Sequence, residues 1–121
     1  MKLYIDSSLK EACWVFENEK PIRRAYKDWF LDVPTHNVSE YLAVEWALFD
    51  VIVRGVREIE AYTDSQLVVK QVSGAYKINL PHLKPRAEHV RRLLKLTKST
   101  LSWLPREENP AGIELEKRRG E

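Results

Sequence analysis

Three acidic residues sit where their carboxylates would converge if the chain folds as its patterning suggests. Asp6 follows Lys2-Leu3-Tyr4-Ile5, Glu40 follows Asn37-Val38-Ser39, and Asp64 follows Ala61-Tyr62-Thr63. Asp6 and Asp64 each close a strand-like run. Asp64 also precedes Ser65-Gln66-Leu67-Val68, which opens a helix with Ser65 as its cap. The carboxyl end of a strand at the mouth of a helix is where α/β sheets place ligands. Taken alone, Asp64 reads equally well as a residue that helps Ser65 start the helix. Its chemistry depends on its company. Gathered carboxylates repel, and their pKa values rise unless a cation neutralises them. Magnesium does so through hard oxygen ligands. Two such ions roughly 4 Å apart activate a water and stabilise the leaving oxygen of a phosphodiester.

The elements that must position these acids follow from the hydrophobic pattern. Residues 2–7 alternate, with Leu3 and Ile5 on one face and Tyr4 and Asp6 on the other. Residues 12–16 and 22–30 read as two further strands, joined by the Asn18-Glu19-Lys20 turn, which gives an antiparallel meander. Pro34-Thr35-His36-Asn37 punctuates the chain, and a heavily buried helix runs from residue 38 to about 54. Asn37 as cap with Glu40 at the third helical position has the spacing of a capping box. Gly55 ends that helix and Gly74 ends the next. Between them residues 57–62 form a fourth strand. A third helix starts at Pro81 or Pro85 and turns Leu83, Ala87, Val90, Leu93, Leu94 and Leu96 inward. Residues 100–104 form a last short strand, and the tail from Ala111 makes about two helical turns before Gly120. The order is βββαβα(α)βα. A right-handed crossover that makes the first and fourth strands parallel neighbours sets Asp6 beside Asp64.

The chain has 121 residues, enough for one domain with a genuine core. Apolar residues at 44% and charged residues at 31% exclude disorder, and a formal charge of +2 does not by itself mark a nucleic-acid binder. The single cysteine, Cys13, excludes an internal disulfide or a multi-cysteine zinc site and reads as a small core residue. No basic start with an apolar run and no stretch of bilayer length is seen, so a cytoplasmic location is expected, with no membrane association.

Four segments in order carry a family resemblance: Tyr4-Ile5-Asp6-Ser7-Ser8, Thr35 to Ala43 with Glu40, Thr63-Asp64-Ser65-Gln66-Leu67-Val68, and Pro105-Arg106-Glu107-Glu108-Asn109. The chain resembles the type 1 ribonucleases H over nearly its whole length. That resemblance implies a five-stranded mixed sheet with helices on both faces. It also implies two-metal hydrolysis of the RNA strand of RNA–DNA hybrids, with Mg2+ as cofactor and Mn2+ as an alternative. By matching position Asp6, Glu40 and Asp64 become catalytic metal ligands, and Glu114, two residues past the matching position, is the candidate for a fourth. Ser7, Asn37 and Gln66 are polar readers of the hybrid, and Lys77, Lys84 and Arg86 contact its phosphates. Double-stranded RNA is a further possible substrate, and no obligate protein partner is expected.

The sequence departs from the family pattern in the first and last motifs and in the loops. Ser7 replaces a Gly. In Asn109-Pro110-Ala111-Gly112-Ile113-Glu114, Gly112 stands in place of the fourth acid if Ala111 is the matching Ala. Glu114 is the nearest alternative and Glu116 a poorer one; both read equally as solvated helix charges. The loop after the last strand lacks the family's His, leaving Arg106, Glu107 or Glu108 in its place. His36, His82 and His89 read as surface or capping residues, and the basic protrusion of longer relatives is missing between residues 73 and 84. Trp14, Trp29, Trp46 and Trp103 read as core. Two rivals follow: a hybrid or double-stranded RNA binding module whose chemistry is weakened at Gly112, or another nuclease on the same fold.

Overall fold

The computed structural model describes residues 1–29, 31, 33 and 35–119, the side chains of 118 and 119 excepted. Strand β1 (Lys2–Ser7) sits at the centre of a five-stranded sheet of order β3-β2-β1-β4-β5. It pairs antiparallel with β2 (Glu11–Phe16), which pairs antiparallel with β3 (Ile22–Ala25). On its other side it pairs parallel with β4 (Glu60–Thr63), and β4 pairs parallel with β5 (Thr100–Trp103). This is the mixed sheet that the resemblance implies.

The alternation along β1 and β2 sorts the two faces. Leu3, Ile5, Ala12, Trp14 and Phe16 enter the main core with α1 (His36–Arg54), α2 (Gln66–Ser73) and α3 (Lys84–Thr97). Cys13 and Val15 enter a smaller cluster with Ala111 and Leu115 of α4 (Pro110–Arg119), against which Tyr4 packs. Helices therefore cover both faces, and Asp6 belongs to the face covered by α4.

Several boundaries differ from the expectation. The cap of α1 is Thr35, whose hydroxyl accepts from the Val38 amide at 3.2 Å, so Asn37 is already helical and Glu40 makes no capping box. Glu40 is left for other work. The third strand stops at Ala25 because Tyr26 turns inward through a short 3-10 turn (Tyr26–Trp29), and its hydroxyl donates to the Ser39 carbonyl. Residue 30, Pro34 and Gly120 lie outside the described residues. The fourth strand begins at Glu60 rather than residue 57, since Glu58 adopts a left-handed φ of 61°. Leu96 is 64% exposed, because Thr97 takes the next inward position on α3 and back-bonds to the Leu93 carbonyl. Trp29 and Trp103 are also exposed, while Trp14 is buried. The caps at Ser65, Gly55 and Gly74 are as expected, with both glycines left-handed.

Asn109 ties the last helix to the first strand. It is fully buried, donates to the Ile5 carbonyl at 2.9 Å and accepts from the Ala111 amide at 3.0 Å. Asn109→Ala leaves both backbone groups unsatisfied in the interior, which is expected to cost roughly 2–4 kcal/mol. A urea denaturation midpoint that does not move would refute that role.

Candidate active site

Ile5 opposite Thr63 is the last registered pair between β1 and β4. One residue further on stand Asp6 and Asp64, at the carboxyl ends of adjacent parallel strands. The two carboxyls are within hydrogen-bonding reach of each other, as the proposed crossover requires. Asp6 is 4% exposed. Burial, and then the hydrogen bond and charge of Asp64, push its pKa up to about 7, against the opposing pull of the Ser7 amide and the Arg106 guanidinium. Asp6 therefore holds its proton to a higher pH than a lone surface aspartate does.

Glu40 lies just past the first turn of α1. Burial and the nearby Asp64 raise its pKa, opposed by the Ser65 hydroxyl and by His36. The Ser65 hydroxyl donates to Glu40 Oε2 at 2.5 Å while accepting from the Val68 amide. Ser65 thus caps α2 and fixes Glu40 at once, a second role its reading as a cap did not reveal. The amino end of α1 is fastened to β1 as well, through the Ser7 and Ser39 hydroxyls at 3.3 Å. Trp103 donates to the Asp64 carbonyl at 3.2 Å and holds that strand end from the β5 side.

Two of the acids meet directly, and the third is coupled to them through Asp64. Among the described residues no three His, Cys, Asp or Glu side chains form a ready-made metal cage. The donor set nonetheless suits a hard cation. Asp6 Oδ2 is buried without a hydrogen-bond partner, and positive charge beside the pair would offset the repulsion between Asp6 and Asp64.

With this geometry in place, comparison with known proteins is decisive for the family. Residues 8–118 match the family described as reverse transcriptase-like, which is ribonuclease H-like. The chain belongs to that family. Among other ribonuclease H-like proteins, the bifunctional protein Rv2228c of Mycobacterium tuberculosis is 33% identical over 76 residues, which are 62% of this chain and 21% of that protein. The chain thus spans about a fifth of the curated relatives it matches. The crystal structure of ribonuclease H1 from the halophilic archaeon Halobacterium salinarum superposes with a TM-score of 0.71 at 26% identity, covering 91% of this chain and 87% of that one. The LC11 ribonuclease H1, isolated from compost and solved with an RNA/DNA hybrid, gives a TM-score of 0.77 at 24% identity, with 94% and 91% covered.

The remaining expected residues of this family member are dispersed. Glu114 faces Arg23: its carboxylate lies 3.6 Å from the guanidinium, and its carbonyl accepts from Arg23 at 3.0 Å. Arg23 is held in turn by Glu11 at 2.7 Å. The structure thus pairs Glu114 with the β2–β3 edge rather than with Asp6. Arg86 pairs with Glu45 of α1 at 2.9 Å, beside His89, and ties α3 to α1 instead of standing free for phosphate. Asn37 and Lys77 line a shared cavity of ≈ 450 Å³ with Gln71 and Tyr76. Gln66 and Lys84 are exposed.

Proposed function

We propose that this chain is a divalent-metal-dependent endoribonuclease that cleaves the RNA strand of RNA–DNA hybrids. The observation that carries the reading is the Asp6–Asp64 pair at the ends of two parallel strands, with the Ser65-anchored Glu40 beside it. Support comes from family membership and from the hybrid bound to a structural relative of the same fold. Asp6, Asp64 and Glu40 would hold the cation, with Mg2+ or Mn2+ as the natural choices for an all-oxygen donor set. Such an ion supplies Lewis acidity toward a phosphate oxygen and a more acidic water. The chain's own part is positional. Asp6 would give up its proton to make room for positive charge, and Ser65 keeps Glu40 aimed at the pair. Burial keeps water from competing for Asp6.

Ser7, Asn37 and Gln66 would read the hybrid at the rim of this site, with Lys77 and Lys84 contacting phosphates. With Arg86 engaged by Glu45, the phosphate grip is small and binding should be salt-sensitive. A 5′-labelled RNA strand annealed to DNA should be cut in Mg2+ or Mn2+ and left intact in EDTA. Tight hybrid binding with no cutting in either metal would favour the second reading, a binding module, which Gly112 in place of the fourth acid supports.

A further inference from the structure

The buried side-chain atoms that lack a hydrogen-bond partner, among the described residues, all belong to one pair. They are Asp6 Oδ2 and the Nε and Nη2 of Arg106. Nη2 lies 3.6 Å from Oδ2, close enough for strong attraction and too far for a hydrogen bond. Arg106 opens the 3-10 turn (Arg106–Glu108) between β5 and α4, and it reaches Asp6 across the first turn of α4.

Residue 112 is what lets it through. A Cβ at Gly112 would stand 2.9 Å from Arg106 Cγ, 3.1 Å from the Arg106 carbonyl oxygen and 3.1 Å from Asp6 Oδ2. Any side chain at 112 would therefore collide with the arginine and point at the acid. This is also the position where the sequence pattern led us to expect a fourth carboxylate. The chain has an absent acid at the place where it has an inserted cation. A guanidinium stays charged at every physiological pH, and its Nε–Nη2 edge is shaped for paired oxygen acceptors.

We propose that Arg106 is a built-in counter-charge for Asp6 that replaces one of the two divalent ions, so that this chain works with a single ion held by Asp6, Glu40 and Asp64. The inference rests on the nuclease reading above and revises the two-ion arrangement that the family resemblance implies. The α4 side of Asp6 is neutralised by a residue that no chelator removes. The exchangeable ion is confined to the side of Asp64 and Glu40.

Counting ions tests this independently of turnover. Mn2+ is titrated by electron paramagnetic resonance into the whole chain, alone and with a non-cleavable 2′-fluoro RNA–DNA hybrid. The wild type should take one ion per chain in both cases. Arg106→Ala/Gly112→Asp, which removes the obstructing side chain and restores the acid, should take two with the hybrid. Arg106→Ala alone should bind the first ion at least as tightly while cutting hybrid on the order of 10²-fold more slowly, and Arg106→Lys should recover part of that loss. Two ions on the wild type would overturn the inference and leave the nuclease reading standing, as would a folded double variant that still takes one. Because the wild-type count decides by itself, a double variant that fails to fold does not rescue the idea. Undiminished Mn2+ binding by Asp6→Asn would instead overturn the reading beneath it.

Discussion

Asp64→Asn is expected to abolish cleavage of an RNA–DNA hybrid, lowering the single-turnover rate by at least on the order of 10³-fold in saturating Mg2+. The change keeps the shape of the side chain and removes its charge. It thereby takes away one of the two carboxylates that meet at the ends of β1 and β4, and it loosens the electrostatic coupling to Glu40. The surrounding frame should survive. Trp103 bonds the backbone carbonyl of residue 64, and Ser65 caps α2 with its own hydroxyl, so neither contact depends on the carboxylate. Far-UV circular dichroism should accordingly match the wild type. Wild-type cutting by a folded Asp64→Asn variant would remove the proposed chemistry altogether.

The second large effect is on stability. In the native state the Asp6 carboxyl titrates at about 7, above its ordinary value of 3.8, because it is buried beside Asp64. The folded chain therefore binds more protons than the unfolded chain between these two values. Linkage makes stability full below pH 4 for this group and lost progressively as pH climbs to 7, with a slope approaching about 1.4 kcal/mol per pH unit for one proton. The raised Glu40 pKa acts in the same direction. In EDTA, chemical denaturation at pH 4.5, 6 and 8 should show this decline in the wild type and a much flatter profile in Asp6→Asn. Added Mg2+ should restore wild-type stability at pH 8 and do little for the variant. Equal slopes in the two proteins would show that Asp6 carries no such strain.

How much of this was legible beforehand depends on the length scale of each signal. The period-2 pattern of residues 2–7 placed Asp6 on the opposite face from Leu3 and Ile5, and the glycine and serine caps around residues 55–74 placed Asp64 at a strand end. Local rules suffice for both, since φ > 0 and capping hydroxyls are written in single residues. The cap of α1 lies two residues before the expected Asn37 because Thr35 and Asn37 both have side chains suited to it, and only the path of the backbone decides between them. Arg86 and Glu114 resembled free charges because their partners, Glu45 and Arg23, are 41 and 91 residues away in sequence. In the sequence Arg106 stands level with Glu107 and Glu108 as a substitute for the loop His. What singles it out is a vacancy at Gly112, which has no signature in a string of letters. Trp29 and Trp103 read as core because each lies within an apolar run, whereas both are exposed, since edge elements carry aromatics outward too.

The bond from Asn109 to Ile5 joins residues 104 positions apart, and it seats the helix that carries Gly112 beneath Asp6. A ribosome making this chain releases the first strand long before that partner exists. The sheet's own β1–β2 hairpin can form early, while the acidic centre stays open to solvent until α4 emerges and docks. The proposed hydrolytic competence thus waits for α4, and a nascent chain stalled before that helix carries the acids without the cover over Asp6.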